Sequence, residues 1–78
     1  MINKNNIQDM LDKYERAKSE VENMFKNVIR YAKSSKMKEL NSFYDKNKDD
    51  YIDKMLASPN KKMSLLSDFE EILKNKAL

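Results

Sequence analysis

The chain has 78 residues and carries 16 basic and 13 acidic side chains, a net charge of +3. It contains no cysteine and no histidine, which excludes disulfides, thiolate metal sites, and the commonest metal ligand and general base. It also lacks glycine and has a single proline, so phosphate-cradling loops and dinucleotide fingerprints are excluded, and tight hairpins lose their preferred residue.

At this length one domain is expected, spanning 1–78, with a core of limited size. Helix formers dominate, and no stretch approaches the ~20 apolar residues of a membrane span. The start, MINKNNIQDMLDK, lacks the apolar run of a signal peptide, so the expected location is cytoplasmic. The fold class expected is all-α: a three-helix, mostly antiparallel bundle.

The first helix carries the strongest pattern. Ile7, Tyr14, Val21 and Val28 recur every seven residues, and Met10, Ala17, Met24 and Tyr31 follow three positions behind them. These are four consecutive heptads with apolar a and d positions, widened by Leu11, Phe25 and Ala32. Asn3, Asn5 and Asn6 are N-cap candidates. Asp9/Lys13, Asp12/Arg16 and Glu22/Lys26 are acid-before-base pairs four residues apart. The pattern predicts a helix over about 6–33.

The register fails at KSSK, Lys33 to Lys36, where a turn is expected with Ser34 or Ser35 as the next cap. A second stripe runs from Met37 through Leu40, Phe43 and Tyr44 to Tyr51, Ile52, Met55 and Leu56, predicting a helix over about 36–57. Ser58 followed by Pro59 is a helix-start signal. Leu66, Phe69 and Leu73 then mark a third helix over about 59–75, and Ser67 with Glu70 has capping-box spacing for a later start.

One stretch, YDKNKDDYIDKM, resembles an EF-hand calcium loop. Asp45, Asn47, Asp49 and Asp53 take the first, third, fifth and ninth loop positions, Tyr51 the carbonyl position and Ile52 the apolar one. The resemblance fails where the sharp-turn Gly is replaced by Asp50 and the bidentate Glu by Leu56. Tyr44, Tyr51 and Met55 hold one helical face across the stretch, so helix is the expected state. Asp45, Asp49 and Asp53 then align as like charges, which Arg16 and Lys18 of the first helix would offset.

Lys26, Arg30, Lys33, Lys36 and Lys38, with Tyr31 among them, form the one basic concentration. Such a cluster contacts phosphates or an acidic partner, or simply complements a helix C-terminus. Neighbouring carboxylates such as Asp49/Asp50 diverge on a helix, and the serines have no histidine to activate them, so no catalytic residues and no cofactor are expected. Met- and Tyr-rich apolar faces suit adaptable binding surfaces, and a/d periodicity suits pairing with another copy.

The expected function is a non-catalytic helical protein-binding module, a stoichiometric regulator, inhibitor or assembly factor. Phage and plasmid accessory proteins share this size and composition. Another protein is the expected partner, with homo-oligomer formation, and no membrane. The alternatives are nucleic-acid binding through the 26–38 cluster and a structural homo-oligomer.

Overall fold

The computed structural model describes residues 4–78, with side chains from Asn6 onwards. Three helices pack pairwise into a bundle, as the sequence predicts: α1 (Lys4–Tyr31), α2 (Met37–Ala57) and α3 (Lys62–Ala77). Short 3-10 turns, Ser34–Lys36 and Pro59–Lys61, precede α2 and α3.

The direction of each helix follows from its contacts. Phe25 of α1 stacks on Tyr44 of α2, while Ala17 and Met55 line one cavity further along, so α1 and α2 are antiparallel. Glu20 pairs with Lys62 at 2.9 Å, and the Lys33 N–H donates to the Ala77 carbonyl at 3.0 Å. Both contacts run in the same order, so α3 lies parallel to α1.

Several helix boundaries differ from the expected ones. Helix α1 starts at Lys4 and ends at Tyr31, so Asn5 and Asn6 stand within it and Ala32 and Lys33 belong to the connection; the candidate cap Asn3 lies outside the described residues. Ser34 and Ser35 form the 3-10 turn rather than capping α2, whose first turn has no side-chain cap. Pro59 opens a 3-10 turn at its first position, and α3 follows only from Lys62, with Ser67 and Glu70 in its interior. Helix α3 also continues past Lys74–Lys76 to Ala77, which is buried. The local reason is tertiary: the Lys33–Ala77 hydrogen bond ties that last turn to the α1–α2 connection.

Each helix contributes its stripe to one core. From α1 come Ala17, Val21, Met24, Phe25 and Val28; from α2, Leu40, Tyr44, Ile52 and Met55; from α3, Phe69 and Leu73. No polar or charged residue is buried among the described residues. The bundle must therefore be held by apolar burial, worth about 25 cal/mol per Å² removed from water.

The rings organise this core. Phe25 and Tyr44 stack with centroids 3.8 Å apart, and Tyr51 and Phe69 stack at 4.2 Å; Tyr44 and Phe69 are 6.0 Å apart and nearly parallel. The ladder therefore joins all three helices, and Phe69 is its α3 member, fully buried. Truncating Phe69→Ala removes the only α3 ring from the stack and should cost about 3–5 kcal/mol. In a domain of total stability ~5–15 kcal/mol that is a large fraction. Urea unfolding followed by circular dichroism should show the midpoint falling steeply or the variant unfolded.

The Tyr44 phenol is pushed up to about 12 from its ordinary value of 10.0, by burial first and then by the charges of Glu22, Asp45 and Asp49. The folded pKa lies above the unfolded one, so the neutral phenol is favoured by folding. That contribution is complete below pH 10 and is lost as pH rises from 10 towards 12. Stability should fall across this window in wild type, with the late titration of Tyr44 visible as tyrosinate absorbance. In Tyr44→Phe that late tyrosine should vanish and the fall should shrink.

Candidate partner-binding surfaces

Helix α1 is longer than its neighbours. It has 28 residues against 21 in α2, and the difference of 28 − 21 = 7 residues is about two turns, roughly 10 Å. The connection from α2 to α3 turns back at the level of Lys13 to Ala17, where Met55, Leu56 and Pro59 lie. Beyond that level α1 projects alone, and the molecule is elongated, 53 × 20 × 18 Å.

The heptad stripe continues along this overhang without a helix against it. Ile7 is 49% exposed, Met10 70%, Leu11 53% and Tyr14 36%. The next stripe residue, Ala17, is 1% exposed. Four spaced apolar side chains on one helical face are thus left in water while the same periodicity further along forms the core. Burying such side chains is worth about 1.5–3 kcal/mol each, so the uncovered stripe is a candidate interaction surface. The outer side of the overhang is internally satisfied: Asp9 pairs with Lys13 at 3.4 Å, and the Gln8 amide donates to Asp12 at 3.1 Å. Asp12 thus bonds Gln8, and among the described residues no ion pair joins it to Arg16, nor Glu22 to Lys26.

At the foot of the overhang a half-open cavity of about 230 Å³ is lined by Ala17, Met55, Leu56 and Pro59, with Lys13, Arg16 and Lys62 around them. Its lining combines four apolar residues with three cationic ones. It is contiguous with the exposed stripe through Lys13 and Ala17.

The opposite end of the bundle is basic. Arg30, Lys33 and Lys38 are exposed and Lys36 is partly so, around the α1–α2 connection, with Lys26 one turn before Arg30 and Tyr31 77% exposed. The fold adds residues that the sequence pattern did not reveal. Because α3 ends beside Lys33, Lys74 and Lys76 join this end. Lys74 pairs with Glu70 at 3.5 Å, and the Lys76 ammonium sits 4.5 Å from the Phe43 ring centroid.

Two helix C-termini meet at this end, so part of the positive charge complements their dipoles. Each contributes only about half a unit of negative charge. Among the described residues, Lys26, Arg30, Lys33, Lys36, Lys38 and Lys76 form no ion pair. These six cations exceed what the two helix ends neutralise, and the surplus can meet an anionic partner.

The calcium-like stretch is helical throughout. Asp45, Asp49 and Asp53 lie on successive turns of α2 with Asn47 on a different face, not around a loop. Asp45 pairs with Lys48 at 3.6 Å, Asp50 with Lys54 at 3.1 Å, and the Asn47 amide donates to the Phe43 carbonyl at 2.8 Å. Among the described residues no three carboxylates converge on a common point. The expected relief of the aspartate stripe by Arg16 and Lys18 takes a different form, since the Asp45 pairing comes from Lys48 on its own helix. Among the described residues no helix is long and apolar enough to cross a membrane.

Comparison with protein-family models, with curated proteins and with solved structures finds no match for this chain.

The uncompensated Asp49 has a measurable consequence. It stands four residues from both Asp45 and Asp53, and each like-charge pair costs about 0.2–0.5 kcal/mol. Asp49→Asn should therefore raise stability by roughly 0.5 kcal/mol at low salt, with the gain fading as salt is added. Parallel urea titrations of the two proteins at low and high salt would measure it.

Proposed function

We propose that the protein is a non-catalytic binding module that docks another protein through the overhanging face of α1. The observation that carries this reading is the exposure of Ile7, Met10, Leu11 and Tyr14 on the same stripe that forms the core from Ala17 onwards. A helix laid on this face would extend the bundle's own packing, with apolar anchors at helical spacing, the usual form of helix-in-groove recognition. Methionine and tyrosine suit such a role, since the first adapts its shape and the second adds rigid apolar area. The action is stoichiometric: occupancy of the partner is the effect, as for a regulator, inhibitor or assembly factor.

The charged replacements Met10→Asp and Leu11→Asp test this. Both positions are exposed, so the bundle's helicity and unfolding midpoint should stay close to wild type. Capture of a defined, nuclease-resistant protein partner by the tagged protein should fall at least tenfold, about 1.4 kcal/mol in binding. Unchanged capture by both variants would overturn the reading.

A second reading is favoured by the surplus of unpaired cations at the basic end. It takes a nucleic acid there, with Tyr31 available to stack. Affinity would then fall steeply with salt, and the combined substitution Lys26→Gln, Arg30→Gln and Lys33→Gln would reduce the salt slope by about two to three. A filter-binding titration at several salt concentrations separates it from the first reading, which predicts no such dependence on these three residues.

A further inference from the structure

Given the nucleic-acid reading of the basic end, on which this step rests, we infer that the ligand there is single-stranded, with one unpaired base lodged in a cleft beside Tyr31.

The charge of the molecule is one-sided. Residues 26–39 carry Lys26, Arg30, Lys33, Lys36 and Lys38 against Glu39 alone, +4 in all. In residues 70–78, which α3 brings to the same end, Lys74 and Lys76 balance Glu70 and Glu71. The whole chain carries +3, so the remainder holds 3 − 4 = −1. The net positive charge therefore sits at one end of a molecule 53 Å long. The C-termini of α1 and α3 offset roughly one unit of it. A field of this shape steers a polyanion towards that end before contact.

Between the last turns of α1 and α3 lies an open cleft of about 350 Å³, lined by Val28, Tyr31, Lys74, Ala77 and Leu78. Val28 and Ala77 belong to the core, whereas Tyr31 is 77% exposed and Leu78 67%. A flat apolar group entering the cleft finds aliphatic carbon, an aromatic ring and the Lys74 ammonium, which Glu70 shares. Further cations flank it: Arg30 adjoins Tyr31 in the chain, and the Lys33 N–H is bonded to the Ala77 carbonyl. A nucleotide joins a flat ring and an anionic phosphate in one unit, which an acidic peptide and a lipid headgroup do not.

Only an unpaired strand offers the face of a base to Tyr31, because in a duplex those faces are stacked on one another. Arg30 is the one arginine at this end, so bidentate reading of base edges is scarce. Stacking and charge then give binding that tolerates any base. The bundle is 20 Å across, and at roughly 3.4 Å per nucleotide a strand laid over its end covers about six nucleotides.

Fluorescence anisotropy tests this with a labelled oligothymidine of about 12 nucleotides, within the range of single-strand site sizes, and with its oligoadenosine duplex. Wild type should bind the single strand more tightly, although the duplex has the greater charge density. Tyr31 is exposed, so Tyr31→Ala should keep the bundle's helicity. It should weaken single-strand binding roughly five- to a hundredfold and leave duplex binding unchanged, while Tyr31→Phe should bind like wild type. The natural chain has no tryptophan, so Leu78→Trp places a lone reporter in the cleft lining. Its fluorescence should be quenched by the single strand and not by the duplex.

Equal affinity for strand and duplex, or a Tyr31→Ala variant that binds the strand like wild type, would overturn the inference and leave the nucleic-acid reading in place. If neither oligonucleotide binds, the nucleic-acid reading falls and takes the inference with it. The same holds if polyglutamate, or vesicles of phosphatidylserine and phosphatidylcholine, bind as tightly as the strand.

Discussion

The stack of Phe25, Tyr44, Phe69 and Tyr51 is the contact on which the rest of the bundle depends. It takes one ring from α1, two from α2 and one from α3, and so sets both the rotation and the axial register of every helix. With no cysteine in the chain and no buried polar network among the described residues, apolar packing around these rings is the means of specifying one arrangement. Aliphatic residues such as Val21, Leu40, Ile52 and Leu73 fill the space on either side.

That register also decides which part of α1 is covered. Once Phe25 is opposite Tyr44, the shorter α2 comes to its end near Tyr14, and the connection through Pro59 forces α3 to start back along the bundle. The first turns of α1 are left without cover, although their apolar pattern is the same as the core's. The uncovered face is therefore a product of unequal helix lengths and not of a distinct motif. The same register brings the C-termini of α1 and α3 together, which concentrates cations at the far end and leaves them in excess of the helix dipoles they offset. The molecule thus presents an apolar surface at one end and a basic one at the other.

Much of this was legible in the residues. The heptads from Ile7 to Tyr31, the register break at Lys33–Lys36 and the Ser58–Pro59 punctuation each report a local preference of the backbone, so three helices could be read directly. The helical state of Asp45–Asp53 was legible too, because Tyr44, Tyr51 and Met55 keep one face across it. The cap positions were not. Serines at 34 and 58 had the right chemistry, yet the chain enters α2 and α3 through 3-10 turns set by the packing of the connections. The end of α3 was missed for a similar reason: Ala77 is held by a hydrogen bond from a residue 44 positions earlier.

Of the two candidate surfaces, the sequence carried the ingredients and not the placement. It showed that Ile7, Met10, Leu11 and Tyr14 share a face with Ala17 and Val21, and that Lys26 to Lys38 cluster. It could not show which half of the stripe is covered, nor that Lys74 and Lys76 lie beside Lys33. Periodicity is a property of one helix and determines which residues lie together on its surface. Burial and charge clustering depend on where the neighbouring helices start and stop, and only the tertiary packing decides that.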